Sequence, residues 1–156
     1  MPDDGQPLIR NRRARYDYFV DDTIEAGIAL EGTEVKSLRL GNATIGDGYA
    51  RIENGEAWLY EVNIAPYKWG HQSNVPPRRR RRLLLKKAEI RRLLRATLEK
   101  GATLIPLSVY FHRGHAKVEL GVCRGKRQYD KKHAIAERDA QRDLAQSASE
   151  RHRGDD

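Results

Sequence analysis

The sequence predicts a mainly β protein with flanking helices: an OB-like, antiparallel, closed β-barrel followed by a C-terminal tail that is disordered or helical. Three observations predict it. Asn54-Gly55 stands between YARIE and EAWLYEV, and both turn residues tolerate the positive φ of a tight hairpin turn. A second alternating stretch spans 103–123: Leu107, Val109 and Phe111 take turns with Ser108, Tyr110 and His112. Beyond Arg113-Gly114, Val118, Leu120 and Val122 do the same with Lys117, Glu119 and Gly121. Only two short stretches carry the period of a helix with a face to bury.

The elements follow in order. Residues 1–9, with Pro2, Gly5 and Pro7, read as a loose leader, and RNRRAR at 10–15 as a small basic arm. YDYFV and IEAGIAL read as two strand segments separated by a polar turn near Asp21 and Asp22. Thr33 to Leu40 reads as a short helix, with Thr33 as its cap, Val35 and Leu38 on one face and Gly41 as its end. The Asn54-Gly55 hairpin comes next. Pro66 to Pro77, with Gly70, Asn74 and two adjacent prolines, is a loop. A second helix runs from about Lys87 to Lys100, with Ile90, Leu93, Leu94 and Leu98 on its buried face and Gly101 as the stop. The barrel domain is thus 10–123. From Arg124 the only large aliphatics are Ile135 and Leu144, so residues 124–156 form a basic tail with helix propensity and almost nothing to bury.

The chain has 156 residues, 38% hydrophobic and 33% charged, with a formal net charge of +8. That is enough for one domain with one core. No apolar run approaches the roughly 20 residues that span a bilayer, no signal-peptide h-region opens the chain, and the single Cys123 has no internal partner for a disulfide. A cytoplasmic protein with a polyanionic partner is the expectation, with no membrane role. His112 and His115 flank a turn without a third ligand, so neither a metal nor another cofactor is expected. No spaced acid pair or nucleophile–base set suggests an enzyme.

The charge is concentrated. From Arg78 to Arg95 stand ten basic residues and one acid, Glu89, a net +9 in eighteen residues. Five consecutive arginines, 78–82, abut Leu83, Leu84 and Leu85. Leucines anchored in a core would hold the guanidiniums at a fixed surface, and about five phosphates neutralised there would give a slope of log K on log salt on the order of −4. A solvated loop is the plain alternative. Arg80, Arg81, Arg82, Lys86, Arg13 in the basic arm, Lys36 on the first helix and Arg124 at the root of the tail are the candidate RNA contacts. Leu83 and Leu85 read as core; Leu84, pointing the other way in an extended segment, can face outward.

Four segments resemble one family, the SsrA-binding protein (small protein B) family: NRRARYDYFV at 11–20, EAGIALEGTEVKSLRLG at 25–41, RRLLLKKAEI at 81–90 and VELGVCRGKRQYDKK at 118–132. They occur in order and with family-like spacing. The resemblance implies an RNA-binding adaptor that is not enzymatic. It binds the tRNA-like domain of transfer-messenger RNA (tmRNA) and delivers it, with elongation factor Tu, to the 70S ribosome stalled on an mRNA without a stop codon. The tail enters the empty decoding centre and mRNA channel and folds there as a helix. By position, the family's contacts to the tRNA-like domain fall on Asn11, Glu25 and Leu84. The ribosome-contacting tail falls on Gly125, Lys126, Arg127, Gln128, Tyr129, Asp130, Lys131 and Lys132. The chain departs from the pattern at Lys132, where the family often has arginine, in the five-arginine run, in the loop at 69–77 and in the last ten residues.

Each of these residues also has its own chemistry. A carboxylate such as Glu25 accepts from base amino groups, which phosphate contacts do not distinguish, and Asn11 both donates and accepts. Leu84 offers an apolar surface to an unstacked base, and Tyr129 among cations suits stacking. From residues alone, a general structured-RNA-binding or ribosome-associated protein is the alternative.

Overall fold

A computed structural model of the chain describes residues 8–126. The chain divides after Arg124 into two units, and the first holds the folded sheet. Its order is β1 (Ile9–Arg10), α1 (Ala14–Asp17), β2 (Tyr18–Ile28), α2 (Gly32–Arg39), β3 (Ala43–Thr44), β4 (Tyr49–Glu53), β5 (Glu56–Tyr60), β6 (Asn63–Ile64), β7 (Arg81–Leu84), α3 (Lys87–Lys100), β8 (Thr103–His112) and β9 (His115–Gly125).

The strands run β8-β4-β5-β7-β2-β9, and β9 pairs back onto β8, so the sheet closes into a ring. This is the mainly β, closed antiparallel architecture that the alternation predicts. Along β8, β4 meets Leu104 while β1 meets Ser108 and Val109. β3 and β6 form a separate small pair. The two hairpins form as read: Glu53 pairs Glu56 around Asn54 and Gly55, at φ 52° and 77°, and His112 pairs His115 around Arg113 and Gly114, at φ 51° and 78°.

The ring is filled by aliphatics, among them Leu59, Leu83, Leu104, Val118 and Leu120. A bulge in β8 between Pro106 and Ser108 explains how one strand feeds two clusters. The extra residue there reverses the inward phase. Leu104 and, past the bulge, Val109 and Phe111 join the main core, while Ile105 and Leu107 pack with Ala14 and Cys123 in a second cluster. Burial there, with the Asp21 charge nearby, pushes the Cys123 thiol up to about 11, so it stays protonated and inert.

Several expectations are corrected. The leader ends before Leu8, whose amide donates to the Val109 carbonyl (2.9 Å), and Ile9 belongs to a strand. Asp21 and Asp22 make no turn: β2 passes through them unbroken, its solvent-facing positions carrying the acids. α2 is capped by Glu31, not Thr33, with the Glu31 amide donating to Glu34 Oε1 at 2.9 Å. In α3, Leu93 is fully buried with Ile90 and Ala96 beside it, but Leu98 is 75% exposed, because the helix outruns the core it covers. Gly101, at φ 64°, ends α3 as predicted. Arg124 and Gly125 belong to β9, so the tail begins later than Arg124. No helix among the described residues is long and apolar enough to cross a membrane.

Candidate nucleic-acid interface

The arginine run is not one cationic surface. Strand geometry sends alternate side chains to opposite sides. Arg81 points inward and is fully buried: its Nε donates to Glu34 Oε2 (2.6 Å), and its terminal nitrogens donate to the carbonyls of Val62 (2.6 Å) and Pro77 (2.8 Å). Arg79 reaches the other Glu34 oxygen. Contrary to the expectation from the sequence, Arg81 is not an RNA contact: no phosphate can reach it in the folded protein. Burial by itself would raise the Glu34 pKa, but hydrogen bonds from Arg79, the Glu31 amide and Arg81 outweigh it and hold the carboxyl below its usual range. One carboxylate thus caps α2 and ties it to the start of β7.

The other three arginines are exposed, and each is paired with a surface acid, Glu53 being shared with Arg51. Arg78 pairs Glu61 (3.1 Å), Arg80 pairs Glu53 (3.6 Å) and lies over Trp58 (4.0 Å to the centroid), and Arg82 pairs Glu56 (3.1 Å). The β4–β5 hairpin and the residue just beyond it supply these acids. Much of the run's charge is spent on its own sheet, so the expectation of five phosphates neutralised by the run does not carry over.

Glu25, Arg82, Leu84 and Lys86 line one groove, together with Lys87, Lys117 and the Asn54–Gly55 turn. Leu84 is 55% exposed, its neighbour Leu83 is buried, and Leu85 packs on the core. Gly27 pairs with Leu84, and a Cβ on it would lie 3.2 Å from the Leu84 Cβ. The missing side chain gives Leu84 a flat shelf. Glu25 accepts from the Tyr110 hydroxyl, and burial, then that hydrogen bond, raises the Tyr110 pKa, so the phenol remains a donor. The groove offers an apolar shelf, an oriented carboxylate and a rim on which Arg82, Lys86, Lys87 and Lys117 stand with Glu56 and Glu89. This set can receive an unstacked base with phosphates on either side.

The remaining candidates lie apart. Asn11 and Arg13 line a second groove with Asp17, Asp47 and Tyr49. There Asn11 Nδ2 donates to the Pro106 carbonyl (3.0 Å) and its buried Oδ1 has no partner. Lys36 sits over the Tyr67 ring (5.3 Å). Arg124 pairs Asp21 (2.6 Å), whose pKa is lowered chiefly by that hydrogen bond; Asp22 is lowered chiefly by its bond to Arg92. Gly125 closes β9 and Lys126 follows it. Arg127, Gln128, Tyr129, Asp130, Lys131 and Lys132 lie outside the described residues.

Tyr110, Gly27 and Lys117 are not singled out by the sequence. Alternation puts Tyr110 and Lys117 on the outer side of their hairpin, and they pair in register; their meeting with Glu25 depends on ring closure. Among the described residues no group of three or more His, Cys, Asp or Glu side chains is placed to hold a metal ion.

The family profile described as SmpB protein matches residues 8–150. An SsrA-binding protein of Moorella thermoacetica is 59% identical over 142 residues, 90% of this chain and 92% of the relative. One of Thermobifida fusca is 53% identical over 144 residues, 92% and 90% of the two chains. A solved structure described as "tmRNA-SmpB: a journey to the center of the bacterial ribosome" superposes with a TM-score of 0.66 at 54% identity, covering 83% of this chain and 95% of that one.

Proposed function

The chain belongs to the SmpB, or SsrA-binding protein, family, and from that premise we propose that it is the tmRNA-binding adaptor of trans-translation, acting by binding and not by catalysis. It grips the tRNA-like domain of tmRNA with the folded unit and brings it to stalled ribosomes in the cytoplasm, together with elongation factor Tu. The observation that carries the grip is the Glu25–Leu84 groove: the carboxylate and the apolar shelf supply selectivity, and the surrounding cations supply attraction. Asn11 and Arg13 add a second contact. The tail, from Gly125 and Lys126 through Arg127, Gln128, Tyr129, Asp130, Lys131 and Lys132, enters the vacant decoding centre and mRNA channel, where it gains the burial its own sequence lacks.

Two measurements test this. Binding to the tRNA-like domain should be much tighter than to unrelated hairpins at equal salt; equal affinity would indicate a general RNA binder. Deleting residues after Gly125 should leave affinity for the tRNA-like domain nearly intact and abolish tagging of stalled nascent chains. Tagging by the truncated protein would overturn the role of the tail.

A further inference from the structure

We propose that the loop around Trp69 is a base-stacking platform: Trp69, backed by Tyr67 and flanked by Lys36 and Lys68, receives an unpaired nucleobase of the RNA that the protein binds. The proposal rests on the RNA-binding reading above and adds to it a contact on a different part of the surface, outside both grooves.

Trp69 is 63% exposed, so most of a large indole is in contact with water. Its ring lies 5.5 Å from that of Tyr67, tilted by 60°. The Lys68 ammonium is 5.3 Å from the Trp69 centroid, and the Lys36 ammonium is 5.3 Å from the Tyr67 centroid. An aromatic pair with cations on both sides matches a nucleotide, whose base stacks while its phosphates meet the charges.

The loop is built, not slack. The Tyr67 amide donates to Asn74 Oδ1 (2.9 Å), and Asn74 Nδ2 donates back to the Tyr67 carbonyl (3.0 Å). The Gly70 amide donates to the same carbonyl (2.9 Å). A Cβ on Gly70 would fall 2.8 Å from Asn74 Oδ1 and 2.9 Å from Thr33 Cγ2, so only glycine lets the loop close against α2. The Thr33 hydroxyl donates to the Ser73 carbonyl (3.4 Å) and joins the loop to the helix that carries Lys36. A ring presented this way loses little freedom when a ligand stacks on it.

Two contrasts within the protein identify the ligand as nucleic acid. Every arginine of 78–82 is paired with a carboxylate, Arg79 and Arg81 sharing Glu34, whereas neither Lys36 nor Lys68 is in an ion pair among the described residues. The other tryptophan, Trp58, has the Arg80 guanidinium on its ring at 4.0 Å, whereas the Lys68 ammonium stands farther from Trp69, at 5.3 Å, and that indole is 63% exposed. An exposed ring beside unspent positive charge is complementary to a polyanion that carries flat bases.

The test uses the full chain with Trp69→Ala and Trp69→Phe, measuring affinity for the tRNA-like domain of tmRNA and, separately, for 70S ribosomes. Trp69→Ala should weaken binding to one of the two by roughly five- to 150-fold, with Trp69→Phe retaining most of it and thermal melting unchanged. Which arm responds identifies the source of the base. Where the tmRNA arm responds, Trp58→Phe leaves Trp69 as the sole tryptophan, and its emission should be quenched in step with RNA saturation. Unchanged affinity of Trp69→Ala for both particles overturns the platform, as does a loss of tmRNA affinity without quenching. A wild-type protein that fails to select the tRNA-like domain would sink the broader function instead, a separate outcome.

Discussion

Glu25 and Glu34 are nine positions apart in one resembling segment, and they have opposite fates. Glu34 is 3% exposed and holds two guanidiniums and a helix-capping amide. Glu25 lies at the surface with one phenol hydroxyl and faces an open groove. The same contrast runs through the arginines, with Arg79 and Arg81 turned to Glu34 and Arg80 and Arg82 at the surface. Charge density along a sequence therefore measures two things at once: charge used to build the fold and charge left for a partner. Only the second reads RNA.

The sharpest way to break this comparison is to remove the inner carboxylate. Glu34→Gln leaves Arg81 buried without its counter-ion, and breaking a buried pair costs about 3–5 kcal/mol. Urea unfolding should show that loss, with RNA affinity intact in the fraction that remains folded. The pH dependence has a defined sign. The Glu34 pKa is depressed on folding, so its contribution is fully present above the unfolded value and fades as pH falls through the folded one. Glu34→Gln should remove that acid-side fall. A variant as stable as the parent would show that Arg81 is held by the Val62 and Pro77 carbonyls alone.

How much of this is legible in the sequence follows from the range of the forces involved. Local rules carry the two hairpins, since Asn54-Gly55 and Arg113-Gly114 sit between strands whose alternation states their faces. They also carry α3 and its Gly101 stop. They place Leu84 outward because β7 alternates. The same alternation implies that Arg81 faces inward, on the side of Leu83, but a buried arginine is credible only once its acid is known, and Glu34 is 47 residues away. The unbroken β2 escapes a local reading because paired aspartates imitate a turn; here their partners are Arg124 on neighbouring β9 and Arg92 on α3. The meeting of Glu25 with Tyr110, 85 residues apart, is of the same non-local kind.

The middle-sized effect lies in the groove. Leu84 is more than half exposed, so Leu84→Ala should change stability by no more than about 0.5 kcal/mol. Removing the apolar shelf should nevertheless weaken binding to the tRNA-like domain several-fold. Gly27→Ala gives the complementary perturbation, since its Cβ would press on the Leu84 side chain at 3.2 Å and tilt the shelf without deleting it. A thermal melt that drops sharply for Leu84→Ala would place the residue with Glu34, on the side of the fold.

The smallest effect belongs to the outer arginines, and it separates the two kinds of charge most directly. Arg80 and Arg82 are about half exposed and paired with Glu53 and Glu56 at the surface, where an ion pair is worth little. Replacing either with glutamine should leave stability nearly unchanged. If that arginine touches a phosphate, the slope of log K against log salt should become shallower by just under about one for each phosphate no longer neutralised. The acids left behind, Glu53 or Glu56, would then repel the RNA and amplify the weakening at low salt. An unchanged slope for both variants would mean that the surface arginines, like Arg79 and Arg81, serve the sheet, and that the attraction comes from Lys86, Lys87 and Lys117 around the groove.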